Sequence, residues 1–142
     1  MQIIILGAGQ VGGTLAESLE GEDNEITVVD NSKKRLAPLA SSLDIRTIQG
    51  EASHPDILAK AGAENADMLI AVTNSDETNM IACQIAWLLF KTPTKIARIR
   101  EPSYLNNHER LFSKDIDERI PVDVAISPEN VVTEHIFKLV QY

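Results

Sequence analysis

Three glycines in the run Gly7-Ala8-Gly9-Gln10-Val11-Gly12, followed about twenty residues later by Asp30, have types and spacing suited to holding a ligand. Gly7 permits a tight turn, Gly9 lets the main chain approach a pyrophosphate, and Gly12 lets helix and strand pack closely. Amides at the start of the helix that follows, with the helix dipole behind them, attract an anion. Asp30 is placed to accept hydrogen bonds from the hydroxyls of an adenosine ribose, and its charge repels a 2′-phosphate. The chemistry these residues serve is recognition of a dinucleotide such as NAD⁺ or NADH. The bland alternative is a glycine turn that only packs, with Asp30 capping the next helix.

Such spacing carries weight only with a strand before it and a helix after it. Ile3-Ile4-Ile5-Leu6 is a short apolar run rich in β-branched residues, as expected of a strand buried on both faces of a parallel sheet. Val11, Leu15, Ala16 and Leu19 then recur at helical spacing. A second strand, Glu25-Ile26-Thr27-Val28-Val29, ends in Asp30, and Asn31 or Ser32 opens a helix carrying Leu36, Leu39 and Ala40. The first turn of that helix holds Lys33, Lys34 and Arg35, although the dipole there favours anions.

Further strands are predicted over 45–49, 66–72, 94–100 and 124–126, with helices from His54-Pro55-Asp56 to Ala61, over 79–90 and over 104–113. Ser127-Pro128-Glu129-Asn130 reads as the start of a last helix carrying Val131, Val132, Ile136, Leu139 and Val140. Six strands alternating with helices predict a doubly wound α/β fold, a six-stranded parallel sheet with helices on both faces, as a single domain over 1–142.

Ligands of such sheets lie outside the carboxyl ends of the strands. Thr73 and Asn74, just after the fourth strand, therefore fall on the same rim as Gly7 and Asp30. The loop Gly50-Glu51-Ala52-Ser53 after the third strand is placed to pass near an adenine. Arg98 and Arg100 share one side of the fifth strand, where each needs an anion, either a ligand phosphate or a protein carboxylate.

No residue set suits catalysis. Tyr104 has no lysine four residues on, Cys83 lies in an apolar helical stretch without a base, and His54, His108 and His135 make no acid–base or metal spacing. Two other classes stay open: a fragment of an NAD-dependent dehydrogenase, and a regulator sensing ATP or ADP, whose ribose Asp30 would engage equally.

Across 142 residues, 13 Lys and Arg stand against 21 Asp and Glu, a net charge of −8 that argues against a nucleic-acid surface. The lone cysteine excludes an internal disulfide and suits a reducing compartment. The apolar run over 81–90 is too short to span a bilayer, so a cytoplasmic chain without membrane insertion is expected. Over 79–90 the helix carries Met80, Ile81, Cys83, Ile85, Ala86, Trp87, Leu88, Leu89 and Phe90, nearly apolar all round. That breadth predicts cover by another subunit, hence a homo-oligomer, with deep burial in a single core as the competing reading.

Taken together, the glycine run, Val28-Val29-Asp30, Gly50-Glu51-Ala52-Ser53, Ala71-Val72-Thr73-Asn74-Ser75-Asp76-Glu77-Thr78-Asn79-Met80 and Ala97-Arg98-Ile99-Arg100 resemble the regulator-of-potassium-conductance (RCK) nucleotide-binding domains. Within that family the likeness is greatest to the N-terminal domain of Trk-type potassium-uptake regulators, and it covers essentially the whole chain. The resemblance implies a non-enzymatic, cytoplasmic regulatory subunit that binds NAD⁺ or NADH and acts on a membrane potassium transporter, peripheral to the membrane through that partner. By motif position it implies nucleotide contacts at Gly7, Ala8, Gly9, Gln10, Val11, Asp30, Thr73, Asn74 and Arg98. Family members are usually longer, so the chain is expected to be an N-terminal fragment.

Overall fold

The computed structural model describes residues 1–127 together with Ile136, Leu139 and Val140. Six strands, β1 (Gln2–Leu6), β2 (Glu25–Asp30), β3 (Arg46–Gln49), β4 (Met68–Ala71), β5 (Thr94–Arg98) and β6 (Val124–Ile126), form one sheet in the order β3-β2-β1-β4-β5-β6. All five pairings are parallel. The predicted fold is thus the observed one. Strand order reverses between β1 and β4, which opens a crevice at the carboxyl ends of those two central strands.

Alternation along the strands divides the core between the two faces of the sheet. Ile3, Ile5, Val28, Ile70 and Ile96 pack with Leu15 and Leu19 of α1 (Gln10–Leu19) and Leu36 of α2 (Lys33–Ser42). Ile4, Leu6, Val29, Leu69 and Ala97 pack on the other face with Leu58 of α3 (Pro55–Lys60) and Cys83 and Ala86 of α4 (Asp76–Phe90). Cys83 is buried as a small hydrophobe, and desolvation drives its thiol up to about 12.

Several boundaries differ from those expected. The fourth and fifth strands are shorter than 66–72 and 94–100, ending at Ala71 and Arg98. The helix expected from Asn79 begins at Asp76, because the Ser75 hydroxyl caps it by accepting from the Thr78 amide at 3.1 Å. The single helix expected over 104–113 is two, α5 (Pro102–Leu105) and α6 (His108–Phe112). Asn107 breaks it with φ −109° and ψ 20°, its side-chain amide donating to the Ser103 carbonyl at 2.8 Å. The segment around 128–135, where the last helix was expected to begin, lies outside the described residues.

A charged cluster unseen in the sequence ties β5 to the chain before β6. Lys95, 1% exposed, donates from Nζ to the Thr92 carbonyl at 2.8 Å and lies 3.1 Å from Asp123. Asp123 also accepts from the Lys95 amide and from Arg119. Burial pushes the Asp123 carboxyl up, but those bonds and the Lys95 charge outweigh it and hold it below the ordinary aspartate value. Above this cluster, on α4, the indole of Trp87 has the ammonium of Lys95 at 4.7 Å and that of Lys91 at 4.8 Å.

Candidate nucleotide-binding site

The turn from β1 to α1 is forced into its shape by backbone sterics. Gly7 adopts φ +110°, and a Cβ there would come within 2.8 Å of the Val72 carbonyl oxygen at the end of the neighbouring strand. A Cβ on Gly12 would collide with the carbonyl oxygen of Gly7, so the third glycine admits the turn itself into contact with the helix. At Gly9 a Cβ would meet nothing within 4 Å. That gap faces the crevice, and it is where a ligand could lie against the main chain.

The first helical bond of α1 runs from the Gly13 amide to the Gly9 carbonyl at 2.8 Å, which leaves the preceding amides without helical acceptors. Gly9 supplies no side-chain cap, and the first turn carries no acid to compete with an anion. Such a helix start attracts an anion.

The crevice above it has a volume of about 440 Å³, within the range of small-molecule sites. Of the residues singled out in the sequence, Gly7, Gly9, Gln10, Val11, Asp30, Thr73, Asn74 and Arg98 line it. Ala8 does not, but its amide donates to Asp30 Oδ1 at 2.9 Å and so places the carboxylate. The second carboxylate oxygen accepts from the Ser32 amide at 2.8 Å. The cap of α2 is Ser32, whose hydroxyl accepts from the Arg35 amide, so Asp30 braces the capping residue rather than capping the helix as the bland alternative held, and its carboxylate keeps lone pairs for further donors. Glu51 and Ala52 border the same end of the crevice, with the Asn31 side-chain nitrogen Nδ2 donating to Glu51 Oε1 at 3.3 Å.

The opposite wall depends on a residue that sequence reasoning took only as the start of a helix. Asn79, fully buried, accepts at Oδ1 from the Thr73 amide at 3.0 Å and the Thr73 hydroxyl at 2.7 Å. Its side-chain nitrogen donates to the carbonyls of Thr73 and of Arg98, at 3.2 and 2.9 Å. One carboxamide thus holds the ends of β4 and β5 in register. Arg98, 7% exposed, donates to the Thr73 carbonyl at 2.6 Å, and Arg100 to that of Asn74 at 2.7 Å. Asp76 adds a second tie, accepting from the amides of Arg100 and Glu101 at 3.0 and 2.7 Å. The signal for Asn79 was a polar side chain opening an otherwise apolar helical stretch; for Asp76 there was none beyond a capping composition.

His54 is exposed at the start of α3 and makes no side-chain cap bond. Among the described residues no group of three or more His, Cys, Asp or Glu could hold a metal ion, and no helix is long and apolar enough to cross a membrane.

Comparison with known proteins bears on this geometry. The chain is 59% identical over all 142 residues to the Trk system potassium uptake protein TrkA of Vibrio alginolyticus, and spans 30% of that relative's length. Among solved structures, the TrkA-N domain of the inner membrane protein ybaL from Escherichia coli superposes with a TM-score of 0.75 at 20% identity, covering 97% of this chain and 95% of that one. The GsuK channel bound to NAD superposes with a TM-score of 0.70 at 22% identity, covering 88% of this chain and 21% of the channel chain. These two structural likenesses speak to the fold alone. The model of the TrkA-N domain matches residues 3–128, and the chain belongs to that family.

Proposed function

We propose that this domain binds NAD⁺ or NADH in the crevice between β1 and β4 and serves, without catalysis of its own, as the nucleotide-sensing N-terminal part of a longer cytoplasmic regulator of a membrane potassium transporter. The observation that carries the reading is the cradle at Gly7, Gly9 and Gly12, with Asp30 held at its edge by the Ala8 and Ser32 amides. The potassium-uptake role rests on the identity to Trk system potassium uptake proteins, and NAD is, with ADP, one of two nucleotides found on the GsuK protein of the same fold.

In the proposed complex the free amides before Gly13 and the Arg98 guanidinium take the phosphates, while Asp30 accepts from the ribose and Glu51 and Ala52 border the base. Titration calorimetry with NAD⁺, NADH, NADP⁺, ATP and ADP side by side tests this, with NAD(H) binding more tightly than NADP⁺ as the expected result. Asp30→Ala, which removes the charge together with the ribose acceptors, should weaken NAD binding and narrow that preference. Equal affinity for NAD⁺ and NADP⁺ in the unmodified domain would remove the Asp30 assignment, and tighter binding of ATP or ADP would make the site a mononucleotide sensor.

The same reading extends to assembly. α4 starts at the crevice with Asp76 and Asn79 and ends in exposed apolar side chains: Ile81 and Leu88 are 50% and 57% exposed, and Trp87 and Leu89 accompany them. A second copy of the chain packing on this face would bring two crevices into mechanical contact through one helix, so that nucleotide exchange alters how subunits are set. Light scattering that finds only monomer in the full-length protein would eliminate this part.

A further inference from the structure

The adenosine end of the crevice carries a cation that the glycine cradle and Asp30 do not account for. Arg35 lines the crevice from α2, and its Nη1 lies 4.0 Å from Asp30 Oδ1 while the side chain stays 57% exposed. Its main chain is anchored to the same carboxylate through two links: the Ser32 amide donates to Asp30 Oδ2 at 2.8 Å, and the Ser32 hydroxyl accepts from the Arg35 amide at 3.3 Å. The guanidinium thus has a located base and a head open to solvent. Lys33 and Lys34 stand exposed beside it at the positive end of the helix, with no acid in that turn. Cations at this end are disfavoured by the dipole, a cost that an anion in the crevice would offset.

We infer that Arg35 is the specificity-determining residue of this corner: by sharing the charge of Asp30 it sets how far the site tolerates a phosphate on the 2′ position of the adenosine ribose. The inference rests on the nucleotide reading above and deepens it. An aspartate alone repels a 2′-phosphate, and an arginine beside it can attract one. With Arg35 in place the carboxylate repels less than its position suggests. Arg35 makes no bond that the fold requires, so its removal should act on selectivity and leave folding intact.

Calorimetry with NAD⁺ and NADP⁺ on the unmodified domain, Arg35→Ala, Arg35→Lys and Arg35→Glu tests this, with thermal denaturation confirming that each variant folds. One unit charge several ångströms from the 2′ position, partly screened by water, corresponds to roughly a ten-fold change in affinity. Arg35→Ala should therefore widen the NAD⁺ to NADP⁺ preference by about ten-fold, Arg35→Lys should stay near the parent, and Arg35→Glu should widen it further. The spread should shrink as ionic strength rises, because the group is exposed. A preference unchanged across the series, or equal losses for both nucleotides, overturns the role of Arg35 and leaves the NAD reading standing. Failure of the unmodified domain to bind either nucleotide overturns both.

Discussion

On one side of the crevice the Asn79 carboxamide is fully enclosed and uses all four of its hydrogen-bonding positions on Thr73 and Arg98. On the other, Asp30 spends one bond per oxygen on backbone amides and meets Arg35 only at 4.0 Å, across a side chain open to water. A satisfied buried network holds one geometry, because any rearrangement strands polar groups away from solvent. Here only the partner is free to move: Asp30 is buried and fixed by its two amides, while the exposed Arg35 can rearrange at little cost. The β4–β5 wall is therefore suited to fixing where a ligand sits, and the β2–α2 wall to choosing which ligand that is.

The change expected to do most damage removes the floor shared by both walls. Gly12→Ala drives a methyl into the Gly7 carbonyl, a contact with backbone that cannot yield. Nucleotide binding should vanish in calorimetry; a Gly12→Ala protein that binds normally would show that the turn does not need its close contact. Asp123→Asn strikes the foundation of the β4–β5 wall, leaving Lys95 buried without its anion at a cost of about 3–5 kcal/mol. The folded-state pKa of Asp123 is depressed, so its stabilisation is fully present above the ordinary value of 3.8 and is lost as pH falls through the lower folded value. Denaturant melts of parent and variant should differ by a constant amount near neutrality and converge only below about pH 3.8; a gap that closes near pH 6 would assign the effect to another group.

Asn79→Ala should cost about 2–4 kcal/mol by stranding the Thr73 amide and the Arg98 carbonyl. It should also weaken nucleotide binding, whereas Arg35→Ala should leave stability unchanged. Equal stability losses in the two variants would erase the distinction between the walls. The smallest of these effects belongs to Arg98→Ala, which should weaken NAD binding by roughly ten-fold or more, the worth of a charge-assisted hydrogen bond of about 1.5–3 kcal/mol. Unchanged affinity would show that Arg98 serves the protein's own contacts, the Thr73 carbonyl among them, rather than the ligand.

What could be read from the sequence was what repeats locally. Ile3 to Leu6, the glycine spacing and the position of Asp30 fixed the strand, turn and helix together, and Val124, Ala125 and Ile126 were placed as a strand with the observed bounds. The rim position of Thr73 and Asn74 followed from a strand end alone, whereas spacing left Arg98 between a ligand and a protein carboxylate. Partners distant along the chain left no such trace. Asp76 bonds the amides of Arg100 and Glu101, and Lys95 meets Asp123, contacts that only the parallel stacking of β4, β5 and β6 creates. The break at Asn107 was missed for a different reason: Leu105, His108, Leu111 and Phe112 keep helical spacing across a residue whose side chain competes for the backbone.

The placement of Trp87 makes the domain its own optical probe. It is the one tryptophan in the chain, so intrinsic emission has a single source, and that source sits near the end of the helix whose first turns hold the crevice. Its indole is 41% exposed between two ammonium groups. Burying this face against another copy would dry the ring, shift its emission to the blue and shield it from acrylamide. Whether occupancy of the crevice is felt at the far end of α4 can thus be followed in solution without attaching a dye.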